Sequence, residues 1–216
     1  AYATATVLLL GAWLALFRVA ARPAAANAPG EGGVAELLAG VRFMRTQPVL
    51  LGALSLDLFS VLFAGAEALL PIFATEILHV GATGLGILRA APAAGSVLMS
   101  VYLSHKPLQG RQGFWLLFSV ALYGLCISGF GLSRSFLLSV GLLGLSGMFY
   151  NVSVVLRSTL LQTLTPRHLL GRVAAVNAVF IGSSNEIGAF ESGVAARLLG
   201  PITAVVAGGV VPIVVV

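Results

Sequence analysis

GFWLLFSVALYGLCISGFGL, residues 113–132, contains no charged side chain. A helix on the surface of a soluble domain keeps a polar face toward water. This stretch is apolar all round, and about 20 such residues rising 1.5 Å each cover the roughly 30 Å of bilayer hydrocarbon. It is therefore read as a transmembrane helix, and it sets the scale for the rest. Working outward, runs of similar length occupy 84–104 and 49–72 on one side and 136–162 and 173–196 on the other. Residues 2–21 (YATATVLLLGAWLALFRVAA) form another, and 201–216 a last one that looks cut short. The expected architecture is an all-α polytopic membrane bundle of about seven spans.

Composition agrees with that reading. The 216 residues are 58% hydrophobic and 9% charged, against about 45–50% apolar and about 25% charged in soluble domains. So few polar side chains cannot cover an exterior facing water, and the lipid bilayer is the expected surroundings. Lys and Arg number 12 against 7 Asp and Glu. The basic residues are scattered, so no nucleic-acid partner is expected. Their placement follows topology instead. The first, third and fifth connections and flanking helix ends carry Arg18, Arg22, Arg42, Arg45, Lys106, Arg111, Arg167 and Arg172, whereas the second, fourth and sixth carry Arg134 and Arg197. The positive-inside rule then has the chain enter from outside and end in the cytoplasm. Seven spans that begin outside suit the last seven helices of an even-numbered bundle, so the chain is expected to be a fragment of a longer protein.

Enzyme chemistry finds no footing. Cys126 is the lone cysteine, which excludes an internal disulfide and a Cys-rich metal site. His79, His105 and His168 lie in separate connections without ligand spacing. There is no phosphate loop, nucleophile elbow or CxxC pair, so neither a cofactor nor a metal is expected.

The longest connection is 22–48. It opens with RPAAANAPGEGG, a flexible Pro/Gly/Ala linker. It continues as VAELLAGVRFMRTQP, which sets Val34, Leu37, Leu38, Val41 and Met44 on one helical face and Glu36 and Arg42 on another. This predicts an interfacial cytoplasmic helix ending before Pro48. The domains expected are 1–21 as the last helix of an N-terminal bundle, 22–48 as the linker, and 49–216 as a six-helix bundle whose last helix is truncated.

Two stretches carry a family resemblance. LPIFATEILHVGATGLGILRAAPAAGS (70–96) resembles the seventh and eighth helices of major facilitator superfamily exporters of the enterobactin-exporter type. TPRHLLGRVAAVNAVFIGSSNEIGAFESG (165–193) resembles the junction of the tenth and eleventh helices of the same group. The resemblance implies the sixth helix and the C-terminal half of a twelve-helix secondary transporter of the bacterial inner membrane. It further implies export of a small molecule, a siderophore or drug, by exchange with protons. The partner surface would be the six-helix N-terminal bundle. Two departures stand out: Leu170 replaces the first Arg of the group's Arg-Gly-Arg, and the cytoplasmic loop LSHKPLQGRQG (103–113) lacks the customary Asp. The rival reading is a truncated or non-transporting membrane protein, a scaffold or sensor on the same fold.

Polar residues inside the spans each ask for a reason, because a charge at mid-bilayer costs at least about 2.5–3.5 kcal/mol. Asp57 lies roughly 12 Å in from the cytoplasmic end of its helix, and Arg157 lies at comparable depth. Either the two pair, or Arg157 reaches to the headgroups. Glu67 and Arg89 form a second depth-matched couple, read as a salt bridge or an outward gate. Pro92 would let its helix bend. Gly141, Gly144 and Gly147 form a small-residue packing stripe. Tyr150 and Asn151 follow at mid-depth and are candidate cavity residues. Asn177, Ser184 and Glu191 are spaced by seven on one helical face, the first two as further candidate cavity residues, and Gly182, Glu186 and Gly193 are read as a neighbouring stripe. Glu186 is the deeper carboxylate. Desolvation favours the neutral form of a carboxyl, so Glu186 and Asp57 are the candidates for proton coupling. The alternative for Glu186 is a hydrogen-bonded clasp. Glu191 sits near the outer mouth, solvated or part of a gate.

Overall fold

The computed structural model describes residues 6, 10, 11, 13, 14, 34–63, 66–106, 108 and 110–216. The chain divides into two compact units, Ala1–Gly33 and Val34–Val216. In the first, the described positions Thr6, Leu10, Gly11, Trp13 and Leu14 are helical. The rest of the expected span 2–21 and the linker start lie outside the described residues.

The second unit is a succession of helices, with no strand among the described residues. We label them α1 (Val34–Thr46), α2 (Pro48–Phe63), α3 (Ala66–Ile72), α4 (Ala82–His105), α5 (Gln112–Leu132), α6 (Phe136–Leu164), α7 (Leu170–Leu199) and α8 (Pro201–Val215). Their limits follow from the sequence. Pro48 and Pro201 open α2 and α8, where a missing N–H leaves no bond unmade. Gly200 takes φ 86° between α7 and α8, a left-handed conformation that suits glycine. Helices α4, α5 and α6 are long and apolar enough to cross a membrane, and Pro48–Ser60 and Pro201–Val215 are shorter apolar helices. Helix α7 is long enough, but its polar residues lower its hydropathy.

One expected helix end moves. Beyond the expected end at residue 72, α3 passes directly into a π-helical turn, Phe73–Ile77. There Leu78 N–H donates to Phe73 O at 2.8 Å, and Thr75 Oγ1 donates back to Pro71 O at 2.9 Å. Helix α1 meets the bundle along one edge. Met44 is buried, Val41 and Phe43 are partly so, and Leu38 is exposed. The reason is steric. Gly40 lies against the backbone carbonyl of Arg172, so α1 docks on the start of α7 at its small residue, with Leu38 turned away.

Packing is built in three successive clusters. One joins Leu69, Leu70, Phe73, Leu88, Ile127, Phe130, Leu143 and Val205, with the Phe73 and Phe130 rings 4.7 Å apart. A second joins Ala53, Leu56, Leu116, Val120, Val152 and Leu156. The third joins Met44, Leu50, Leu161, Val173 and Val176. Two glycine-mediated crossings draw the helices together. A Cβ at Gly95 of α4 would overlap Gly144 O, and one at Gly147 of α6 would overlap Pro92 O. Gly124 of α5 and Gly209 of α8 meet in the same way, with Ser128 Oγ donating to Val206 O at 3.3 Å. Gly141 has open space before it and stands off the expected stripe. Helix α4 runs unbroken through Pro92. Leu98, Leu137, Phe190 and Leu198 remain exposed, an apolar exterior of the kind lipid covers.

Candidate functional site

Helix α2 carries one carboxylate into the bundle. Asp57 and Arg157 of α6 are both buried, and Arg157 Nη1 lies against Asp57 Oδ1 in an ion pair. Ser60, one turn on from Asp57, keeps its hydroxyl on Leu56 O at 2.7 Å. Arg157 therefore does not reach out to the headgroups. It is held between helices, where pairing offsets the loss of water around both charges.

Two tyrosines extend this polar centre. Tyr150 sits two turns before Arg157 on α6, so the two share a face. Its ring centroid lies 5.6 Å from that of Tyr123 on α5. Tyr150 is within electrostatic reach of Asp57, Arg157 and Glu67, and Tyr123 of Tyr150, Glu67 and Asp57. Glu67, exposed on α3, thus relates to the tyrosines. Among the described residues no ion pair joins it to Arg89. Leu88 and Ala91 turn toward the core on α4, which leaves Arg89 on an exposed face.

A cleft of about 440 Å³, counting its mouth, opens beside the ion pair. Asp57, Ser55 and Leu54 of α2 line one wall, Asn177, Phe180 and Ser184 of α7 the other, and Met44 of α1 its end. Asn177 and Ser184, seven residues apart, therefore face the carboxylate as one stripe. Ser184 Oγ donates to Phe180 O at 2.6 Å, which leaves its lone pairs toward the cleft. Glu191, next on the stripe, is half-buried.

Glu186 is placed differently. It is exposed, as are Gly182 and Gly193. Two residues along a helix turn about 200°, so Glu186 points away from Ser184 and the stripes are opposed rather than neighbouring. Asn151 is tied to the neighbouring helix α4. Its amide donates to Ser96 O at 2.9 Å and Ser100 Oγ at 2.8 Å, and Ser96 Oγ donates to Gly147 O at 3.0 Å. Both amide hydrogens are thus taken by an α4–α6 clasp. Asn151→Ala should cost about 1–2 kcal/mol of bundle stability, read as a lower unfolding midpoint in detergent.

The sequence reading passed over Ser55, Tyr123, Ser96 and Ser100. Ser96 and Ser100 carry a signal, since two hydroxyls four residues apart share a helix face. Tyr123 carries none beyond a hydroxyl in an apolar helix.

These features sit within a sequence whose residues 1–189 match the Major Facilitator Superfamily. The chain belongs to the major facilitator superfamily. Its helices are thus part of the facilitator fold, and it is a multi-pass membrane protein of a transporter family. Among curated relatives of this facilitator chain, the enterobactin exporter EntS of Citrobacter koseri is 32% identical over 177 residues, covering 81% of this chain and 42% of that protein. The enterobactin exporter EntS of Escherichia coli O1:K1 / APEC is 30% identical over 181 residues, covering 84% and 43%. That of Shigella boydii serotype 18 is 29% identical over 181 residues, with the same coverage. The facilitator chain thus spans less than half the length of these relatives. No solved structure matches it.

Proposed function

We propose that this chain forms the C-terminal bundle of a secondary transporter that exports a small siderophore-like or drug-like molecule in exchange for protons. The observation that carries the reading is the buried Asp57–Arg157 pair at the wall of a cleft. An acid that loses its charge on protonation releases its Arg partner, which couples proton binding to the fit between α2 and α6. Export agrees with the names of the relatives. The bundle would rock against an N-terminal one in alternating access, with the basic connections and the C-terminus in the cytoplasm of a bacterial inner-membrane protein. Tyr150, Asn177 and Ser184 would contribute to the polar interior, and Glu67, Arg89 and Glu191 to its outer end.

The test is export by the complete reading frame in an exporter-deficient bacterial host, offered siderophores, drugs and sugars together. The reading predicts that one class accumulates less in cells and that a protonophore removes the difference. No change for any class, or a change that survives the protonophore, would sink it. Asp57 ranks above Glu186 as the coupling group. Asp57→Asn should abolish the dependence of export on the pH gradient, and Glu186→Gln should retain most of it. The reverse order in inverted vesicles would assign coupling to the exposed carboxylate.

A further inference from the structure

We propose that the cleft between α1, α2 and α7 is a water-filled side entrance, contained within this one bundle, through which a proton reaches Asp57 past Met44. The inference rests on the reading of Asp57 as the proton site and adds the route. Its walls mix Leu51, Leu54 and Ile181 with a polar line of Ser55, Asp57, Asn177 and Ser184. A buried water needs two to four polar partners and about 30 Å³ of its own. The cleft, whose 440 Å³ includes its open mouth, has room for a few waters, with Ser55, Asp57, Asn177 and Ser184 as their polar partners along a mainly apolar wall.

The polar groups are spread along the direction of travel. Seven residues separate Asn177 from Ser184, about 10 Å of helix, so hydroxyl and amide groups recur along the path rather than at one point. Asn177 has no protein hydrogen-bond partner among the described residues, and its amide can both donate to and accept from water. Met44 closes the end that lies among the basic connections, packed with Leu50 and Val173. Its unbranched thioether side chain changes rotamer at little cost, and Gly40 lets α1 lie close to Arg172 O.

The chemistry balances simply. A hydronium at the head of the water chain gives up its proton and becomes water. An O–H bond forms on the Asp57 carboxylate oxygen not engaged by Arg157. The pair becomes a neutral acid beside a guanidinium, which turns its donors toward Tyr150 on the same face of α6. Among the described residues, the charged or titratable groups around Asp57 are Arg157 and Tyr150 from α6 and Tyr123 from α5, with the exposed Glu67 of α3 beyond the tyrosines. Helix α8 has no titratable side chain, and α1 and α7 face the cleft with Met44, Asn177 and Ser184.

The experiment uses the complete protein in proteoliposomes, with Cys126→Ala as background. Asn177→Cys is compared with Val179→Cys, which is exposed on the outward side of α7. A small charged, membrane-impermeant thiosulfonate should label Asn177→Cys at least tenfold faster. Adding Met44→Trp should slow that labelling tenfold and slow pH-driven export with it. Equal labelling at the two positions would overturn the route, while loss of coupling in Asp57→Asn would still uphold the proton site. Fast labelling with pH-dependent export intact in Asp57→Asn would overturn Asp57 as the destination. Export that follows sodium rather than pH would overturn the proton as the cargo.

Discussion

Gly147→Val should leave no assembled bundle. A Cβ at this position would overlap the backbone carbonyl of Pro92. A backbone atom cannot swing aside as a side-chain end can, so α4 and α6 must move apart. That movement breaks the Ser96–Gly147 bond and both Asn151 bonds, and opens the neighbouring Gly95–Gly144 contact. Overpacking and lost interhelical hydrogen bonds together should cost about 3 kcal/mol or more. Monodisperse yield and thermal unfolding in mild detergent measure the effect. Gly141→Val on the same helix, with open space before it, should change either by little. Similar losses for both would show that α4 and α6 do not cross where described.

Asp57→Ala should be nearly as damaging, for an electrostatic reason. It leaves the Arg157 guanidinium buried with no countercharge, which costs about 3–5 kcal/mol in comparable buried pairs. Asp57→Leu with Arg157→Met removes both charges and should recover most of that stability, since a well-packed apolar pair replaces a buried ionic one at little loss. The double variant should nonetheless fail to export. A lower unfolding midpoint for the single variant, restored in the double, checks the first part. Export measured on equal amounts of folded protein checks the second. A double variant that exports normally would reduce the pair to a structural bridge.

Much of the bundle was legible because the membrane imposes a length. Residues 113–132 and 136–162 announce their helices within a residue or two of α5 and α6, since a charge-free run of that size has one stable placement. Depth is legible as well, which is why Asp57 and Arg157 can be matched from sequence alone. Direction around a helix was harder. Hydropathy does not say which side of α1 meets a partner, and Gly40 rather than Leu38 decides it. Glu67 and Arg89 share a depth but not a facing direction. The Gly144–Gly147 stripe was visible as spacing, whereas Gly124 and Gly209, single glycines on distant helices, gave no local pattern. In α7 a seven-residue repeat found the Asn177–Ser184 wall, but Glu186, two residues beyond Ser184, turns the other way.

The central claim, that protonation of Asp57 drives this transporter, is tested most directly by counting protons. Proteoliposomes holding the complete protein and a trapped pH-sensitive dye would be given the exported substrate, with wild type and Asp57→Asn side by side. The account predicts proton movement opposite to substrate in the wild type and substrate movement without protons, or none at all, in Asp57→Asn. Undiminished proton exchange in Asp57→Asn would contradict it.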